Sequence, residues 1–284
     1  MGIFSDVLLT VDYDRTLTAP DSTIPERNIE AIRYFMENGG AFTINTGRSL
    51  PMTKAFRDKV PVNAPLLLYN GSAAYDPVKE EFAFCHDIDL DLVQTVRETM
   101  ELFPDLNVEI QGIDAHYLFT DSPAWAMFTE SNECAWKIVP LGTGVGPFVK
   151  MTVYGEIRAK GVGHLFEGAE EEIRRIDEVE AMLKEKYGHK MSIFRVATRI
   201  IDCHSPGVST ANSARQLQAQ LGRKILVCVG DERNDLSMLD EADYAYAPCD
   251  AVVADRYENV CKCADGAVAD VIYEKIPEIL GINP

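Results

Sequence analysis

The 284-residue sequence lacks several features that would place it in a specialised class of proteins. Its longest apolar run lies in "KILVCVG", far short of the ~20 residues that span a bilayer, so a membrane protein is not expected. The start, "MGIFSD", lacks the basic and apolar regions of a secretion signal, and Ser5 falls one place early for myristoylation. The composition, 46% hydrophobic and 25% charged, predicts an ordinary globular protein with one large domain or two modest ones.

Positive charge is also scarce. Lysine and arginine total 27 against 45 aspartates and glutamates, a formal net charge of -18. No stretch is strongly basic, and we therefore expect no nucleic-acid partner. If this acidic protein handles an anionic substrate, it needs a local cation to do so.

The seven cysteines are an odd number and lack the spacing of a disulfide framework. Cys249, Cys261 and Cys263 lie close in sequence, but no second close pair of zinc ligands follows them. We therefore expect free thiols, most of them buried, and a reducing, cytoplasmic location.

Apolar strands alternate with amphipathic helices at both ends of the chain. The strands are predicted in "DVLLTVD", "GAFTINT", "PLLLYN", "KILVCVG" and "DYAYA". Helices are predicted in "PERNIEAIRYFMENGG", after Pro51, in "STANSARQLQAQLG", in "NDLSMLDEA" and near "GAVADVIYEKI". This order indicates an α/β fold: a Rossmann-like parallel sheet with helices on both faces.

The middle of the chain follows a different pattern. A hairpin in "NGSAAYDPVKEEFAF" leaves the first sheet, and from there strands and helices read as an α+β module. We predict a core domain built from residues 1–83 and 201–284, with an inserted α+β cap domain at 84–200. Ligands of open α/β sheets bind at the carboxyl ends of the strands, where a hinged cap would cover them.

Acidic residues follow two of the predicted strands. Asp12 and Asp14 come at the end of the first strand, and Asp231 and Asp235 follow "KILVCV". Either these are solvated turns and a helix cap, or the fold brings four carboxylates together. Four converging carboxylates form a hard-oxygen site that suits Mg²⁺ better than zinc or copper.

A third polar signal follows another strand. In "INTGR", Thr46 ends the strand and Gly47 comes next. The threonine hydroxyl and the backbone N–H groups around Gly47 are suited to holding phosphate oxygens. Three polar signals at strand ends, in this order, favour a phosphate and magnesium site over three unrelated turns.

These segments resemble the haloacid-dehalogenase superfamily of phosphohydrolases, over nearly the whole chain. "DYDRTLT", "INTGR" and "GDERNDLSML" are similar to its first, second and fourth motifs, and "YNGSAAYDP" and "DGAVADVI" to the Cof-type branch. The resemblance implies that Asp12 is the nucleophile, Asp14 the general acid and base, and Thr46 a phosphoryl ligand. It also implies that Asp231 binds magnesium directly and Asp235 directly or through water.

The sequence departs from this family at two places. The lysine of the third motif is replaced by Thr210 in "PGVSTAN", and the glycine after the second aspartate is replaced by Arg15. Four carboxylates and a phosphate dianion carry about -6, or -5 with Asp14 protonated, and one Mg²⁺ leaves -4 or -3. Loss of a cation from such a site costs several kcal/mol of phosphate affinity or transition-state stabilisation. Either Arg15 replaces the lysine, or the site is impaired; Arg195 and Arg199 are lesser candidates.

Contacts to the rest of the substrate are predicted less directly. Arg48, Asn70, Asn234 and Lys150 are the polar candidates, although Asn70-Gly71 also reads as a turn and Lys150 as a residue on the outer face of the cap. We predict a Mg²⁺-dependent phosphatase of small phosphorylated metabolites, with sugar phosphates expected from the resemblance. A non-catalytic phosphometabolite-binding protein is the alternative that Thr210 raises, and a phosphomutase is a lesser one. The sequence leaves the oligomeric state open.

Overall fold

The computed structural model describes residues 2–120, 133–144, 146–155 and 170–282. The chain forms two compact units. The first comprises Met1–Gly47, Phe56–Phe84 and Ser209–Pro284, and the second comprises Arg48–Ala55 and Cys85–Val208.

The first unit is built on a five-stranded, fully parallel sheet. Its strands are β1 (Val7–Val11), β2 (Ala41–Ile44), β12 (Ile225–Val229), β13 (Tyr244–Pro248) and β14 (Glu258–Val260). They lie in the order β14-β13-β12-β1-β2, so that β1 from one end of the chain pairs with β12 from the other. All five residues of β1 are buried, as expected for a central strand covered on both faces.

Helices and a small sheet complete this unit. The helices are α1 (Glu26–Glu37), α4 (Thr210–Gln220), α5 (Leu236–Asp240) and α6 (Ala267–Asp270), the last continuing through the π-helical turn Val271–Lys275 into α7 (Ile276–Ile279). In α1, the buried Ile29, Ile32 and Phe35 recur at helical spacing, and the helix ends just before Gly39, whose φ is 91°. The small sheet has the order β3 (Leu66–Leu68), β4 (Ala73–Asp76) and β5 (Glu81–Cys85).

The second unit has its own six-stranded sheet and two helices. Its strands are β6 (Leu106–Gln111), β7 (His116–Leu118), β8 (Trp136–Ile138), β9 (Lys150–Gly155), β10 (Ser192–Ala197) and β11 (Ile200–His204). They lie in the order β10-β11-β9-β6-β7-β8, and the helices are α2 (Leu92–Leu102) and α3 (Glu170–Tyr187).

Side chains alternate sharply between the two faces of this second sheet. Val108 and Ile110 of β6 belong to the apolar core that also contains buried residues of α2 and α3. The period of two places Glu109 and Gln111 on the opposite face, where both are nonetheless buried. The polar residues of this face therefore need partners within the protein.

The predicted fold class is confirmed, with a parallel core sheet and a second unit that carries a separate sheet. The division into units differs from the predicted boundaries because β11 completes the second sheet and the chain stays in that unit until Val208. The segment predicted as a helix after Pro51 is a short 3-10 turn, Leu50–Ala55. Within the residues that the structure describes, no helix is both long and apolar enough to cross a membrane.

Candidate active site

Three buried carboxylates meet at the carboxyl ends of β1 and β12. Asp12 directly follows β1, and its backbone N–H donates to the carbonyl oxygen of Val229 at 2.9 Å. Because these two strands are parallel neighbours, the loop after β12 brings Asp231 and Asp235 beside Asp12. Carboxylate oxygens of the three residues lie within 4.8 Å of one another, and their exposed fractions are only 6%, 5% and 1%.

Local hydrogen bonds hold two of these carboxylates in place. Oδ2 of Asp235 accepts the backbone N–H groups of Asp231 and Glu232 at 3.0 and 3.1 Å. The hydroxyl of Thr16 donates to Oδ1 of Asp231 at 3.1 Å. A Cβ on Gly230 would lie 2.6 Å from the Cβ of Asp235, so this close approach requires glycine.

The cluster is short of positive charge. Burial, followed by the carboxylates of Asp235, Asp14 and Asp231, raises the pKa of Asp12 well above its usual value. Burial also raises the pKa of Asp231 to about 6, against the opposing hydrogen bond from Thr16, and burial with the charge of Asp231 raises the pKa of Asp235 to about 7. Three oxygen donors with uncompensated negative charge fit Mg²⁺, a hard cation that prefers carboxylates.

Asp14 and Arg15 occupy the exposed turn that follows Asp12. The buried group of three does not include the Asp14 carboxylate, whose part as a fourth ligand stays a prediction. Its charge still raises the pKa of Asp12 and of Asp231, which places it near both. Arg15 has φ 61° and ψ 7°, the left-handed conformation for which glycine is best suited, and its charge lowers the pKa of Asp231.

The second motif forms a close-packed turn beside β3. Thr46 is buried, and its N–H donates to the carbonyl oxygen of Leu67 at 3.0 Å while its own carbonyl accepts the N–H of Asn70 at 3.1 Å. A Cβ on Gly47 would lie 2.6 Å from Oδ1 of Asn70. Asn70 itself has φ 55°, between Tyr69 at 54° and Gly71 at 96°. Tyr69 and Asn70 are successive non-glycine residues of positive φ, a strained arrangement of the kind that clusters at functional sites.

Thr210, at the position where the resemblance implies a lysine, lies in the first unit. It is buried at the first position of α4, and its hydroxyl lies 2.7 Å from the hydroxyl of Ser237. The side-chain amide of Asn45, the residue before Thr46, donates to the carbonyl oxygen of Thr210 at 3.0 Å. The position is therefore next to the second motif but contributes hydroxyl groups and no charge.

The predicted substrate contacts are spread over both units. Asn234 is exposed, and its amide donates to Oδ1 of Asp235 at 3.4 Å. Arg48 belongs to the second unit. Lys150 also lies in the second unit, where it is 6% exposed and forms an ion pair with Asp202 at 2.8 Å. It is therefore a buried residue of β9, and the expectation of an outer-face position is wrong.

The two lesser candidates for the missing cation also lie in the second unit. Arg195 forms ion pairs with Asp177 and Glu180 of α3, the first at 2.7 Å. Arg199 is buried, with its side chain packed 3.7 Å from the position of a Cβ on Gly155. Arg195 is thus already engaged by two carboxylates of its own unit.

Sequence reasoning assigned no role to three residues that shape the site. Thr16 lies two residues after Asp14, and its hydrogen bond to Asp231 can be recognised only from the three-dimensional position of its hydroxyl. Ser237 is a non-neighbouring partner of Thr210 and left no sequence signal. Gly230, directly after a buried strand and before an acidic cluster, was visible as a signal for close backbone approach.

Comparison with known proteins gives a consistent result. The family model for haloacid dehalogenase-like hydrolases matches residues 9–261. A protein of Buchnera aphidicola subsp. Baizongia pistaciae named "Putative phosphatase" is 23% identical over 235 residues, 82% of each chain. A haloacid dehalogenase-like hydrolase from Bacteroides thetaiotaomicron has a similar structure, with a TM-score of 0.79, 20% identity and coverage of 95% of this chain and 98% of its own. The structure of a sugar phosphatase of subclass IIB of the superfamily gives a TM-score of 0.72 at 17% identity, with coverage of 97% and 99%. Since the family model spans most of the sequence, the chain belongs to the haloacid dehalogenase-like hydrolases.

Proposed function

We propose that this hydrolase is a Mg²⁺-dependent phosphatase of small phosphorylated metabolites, with sugar phosphates as the expected class. The observation that carries the proposal is the group of three buried carboxylates whose oxygens lie within 4.8 Å of one another. Asp14 on the exposed turn and Thr46 in the close-packed turn supply the remaining polar groups of the same unit. The sugar-phosphate class rests on family resemblance and on the printed name of one structural relative.

The chemistry divides into two displacements at phosphorus. A carboxylate oxygen of Asp12 forms a bond to phosphorus, and the bond from phosphorus to the ester oxygen breaks. Asp14 gives its proton to the departing alkoxide, so that the alcohol leaves neutral. Asp14 then takes a proton from the attacking water, whose oxygen displaces Asp12 and releases inorganic phosphate.

Two other features assist this chemistry. The Thr46 hydroxyl and the backbone N–H groups around Gly47 would hold the phosphoryl oxygens. Asp12, Asp231 and Asp235 would hold Mg²⁺, which offsets negative charge among the reacting oxygens when bound. Burial keeps the three carboxylates in a medium of low dielectric constant, where such an offset is larger than in water.

Thr210 favours a second candidate, a non-catalytic protein that binds phosphorylated metabolites. A threonine hydroxyl paired with Ser237 cannot replace the charge of a lysine. For a binding protein, Mg²⁺ and a phosphorylated ligand would raise the melting temperature, but the ligand would not be hydrolysed. Asp12 and Asp14 argue for catalysis, since binding alone does not need a nucleophile with an acid two residues away.

A substrate panel tests the proposal. Sugar phosphates, nucleotides and p-nitrophenyl phosphate are incubated with the protein, with Mg²⁺ or with chelator, and released phosphate is measured. We expect release that depends on Mg²⁺ and is lost in Asp12→Asn. Asp255→Asn is a matched control, because Asp255 is an exposed carboxylate of the same unit outside the cluster. Steady isomerisation primed by a bisphosphorylated sugar, with little phosphate released, would instead indicate a phosphomutase.

A further inference from the structure

Three polar side chains in the second unit form a continuous buried chain. The hydroxyl of Ser49 lies 2.6 Å from Nε2 of His116, and Nδ1 of His116 forms an ion pair with Glu109. Ser49, His116 and Glu109 are all 0% exposed. Glu109 on β6 and His116 on β7 can meet because these strands are antiparallel neighbours, with Gln111 opposite His116. We call Ser49, His116 and Glu109 the serine–histidine–glutamate relay.

His116, the middle member of the relay, is protonated at neutral pH. Burial alone would lower the pKa of His116, but the Glu109 carboxylate, assisted by Cys134, raises it to about 9. The imidazolium has two N–H groups: the one on Nδ1 faces the Glu109 carboxylate in the ion pair, and the one on Nε2 donates to the hydroxyl oxygen of Ser49. The groups that face His116 are thus Glu109 from β6, Cys134 before β8 and Ser49.

This charge state excludes nucleophilic catalysis by the serine. In a hydrolytic triad a neutral histidine accepts the proton of the serine hydroxyl. Here Nε2 already carries a proton, and none of the three side chains is exposed. The relay therefore holds Ser49 in position and does not activate it.

The place of Ser49 in the chain gives this anchoring a consequence. The first segment of the first unit, Met1–Gly47, ends at Gly47, and the next segment, Arg48–Ala55, belongs to the second unit. Thr46 is fixed to Leu67 by a backbone hydrogen bond of 3.0 Å. Only Gly47 and Arg48 lie between Thr46 and Ser49, so each end of this short stretch is held by contacts within its own unit.

We propose that the serine–histidine–glutamate relay positions the phosphate-binding turn at Thr46 and Gly47 by fixing the chain that leaves it. The inference rests on the proposed function for the identity of the ligand, a phosphoryl group. Ser49, His116 and Glu109 are positioning residues and touch no reacting atom. Loss of the relay should weaken phosphoryl binding in ground state and transition state alike, which raises KM and leaves kcat nearly unchanged.

The experiment compares Ser49→Ala, His116→Gln and Glu109→Gln with the wild-type protein. KM and kcat for p-nitrophenyl phosphate and Kd for inorganic phosphate are measured with Mg²⁺ at pH 7. We expect KM and Kd to rise about 10-fold in Ser49→Ala and His116→Gln, with kcat changed less than twofold. The matched control is His204→Gln. His204 is equally buried in the same sheet, but burial lowers its pKa to about 3, so it is neutral.

A direct measurement of the histidine keeps the proposal testable if a variant is poorly folded. The ¹⁵N-imidazole NMR signals of the wild-type protein should report a doubly protonated His116 up to about pH 9, and a pKa below 7 in Glu109→Gln. A neutral His116 in the wild-type protein at pH 7 would overturn the relay.

The binding results separate failure of the relay from failure of the proposed function. If the wild-type protein binds phosphate and Ser49→Ala binds it equally well, only the relay is wrong. The relay is also wrong if His204→Gln loses as much affinity as His116→Gln, because general destabilisation then explains both. If the wild-type protein binds phosphate but hydrolyses no ester, the proposed function fails while the Kd values still decide the relay. If it binds no phosphate at all, both fail.

Discussion

Replacing Arg15 with glycine separates the stability of the protein from its activity. Arg15 has φ 61°, a left-handed conformation that costs a non-glycine residue about 1–2 kcal/mol. Glycine relieves this strain but gives the unfolded chain more freedom, which costs about 0.4–1 kcal/mol. These contributions partly cancel, and we expect the free energy of unfolding to rise by about 0–1.6 kcal/mol.

The effect on activity should be much larger. The charge of Arg15 lowers the pKa of Asp231, so its guanidinium acts on the carboxylate cluster. With Thr210 in place of lysine, removal of Arg15 takes positive charge from a site that carries a large excess of negative charge. Loss of one charged stabiliser of this kind lowers kcat/KM by about 10²-fold or more.

The assay measures kcat/KM for p-nitrophenyl phosphate and the melting temperature for Arg15→Gly and Arg15→Asn. Asparagine tolerates positive φ, so the second variant removes the charge with less change to the turn. Arg233→Gln is the matched control, because Arg233 is also an exposed arginine beside the acidic cluster. Thr210→Lys in the Arg15→Gly background should restore part of the activity. If Arg15→Gly retains the wild-type kcat/KM, or if Arg233→Gln loses as much, the idea that Arg15 replaces the lysine is refuted.

Three further predictions concern the carboxylate cluster. Asp12→Asn should abolish phosphate release. It should also raise the free energy of unfolding of the metal-free protein by about 1–2 kcal/mol, because it relieves repulsion between buried charges. Chemical denaturation in EDTA measures this stability, and a variant less stable than the wild-type protein would contradict the prediction. The carboxyl groups of Asp231 and Asp235 have pKa values raised to about 6 and 7, so their contribution to stability is complete below about pH 4 and is lost as pH rises through 6 and 7. The melting temperature without metal should therefore fall between about pH 4 and 7, while the increase caused by Mg²⁺ should grow over the same range. A Mg²⁺ effect independent of pH would contradict this. Gly230→Ala should displace Asp235, weaken Mg²⁺ binding by about 10-fold and lower the free energy of unfolding by about 1–3 kcal/mol. Titration calorimetry measures the Mg²⁺ affinity. Gly144→Ala is the control variant, because a Cβ at Gly144 would have open space around it.

Parts of the molecule that depend on local pattern could be predicted from the sequence. The apolar run before Asp12 and the helical spacing in α1 follow from residues that are neighbours along the chain. The meeting of Asp12 and Asp231 was also predictable, because parallel strands place their carboxyl ends at one edge of a sheet. The short strands β8 and β14, of three residues each, gave too little periodicity to be recognised.

Contacts across long sequence separations were beyond the sequence. The ion pair of Lys150 with Asp202 arises because β9 and β11 are neighbours in the second sheet, and that pairing left no trace in either segment alone. The same holds for Ser49 and His116, which belong to a turn and a strand whose spacing carries no pattern. The left-handed backbone of Arg15 could be suspected only from the glycine that the resemblance implies at this position.

The pairing of β1 with β12 has a consequence for synthesis on the ribosome. Val7 lies opposite Ile225, so one edge of β1 lacks its native partner until the chain is nearly complete. At about 5–20 residues per second, that delay is roughly 10–40 s, which is long compared with strand pairing. The second unit, whose strands fall between Leu106 and His204, can be completed earlier. The nascent chain thus carries an apolar strand with a bare edge during most of its translation, and chaperones that bind extended apolar segments have their greatest opportunity in that interval.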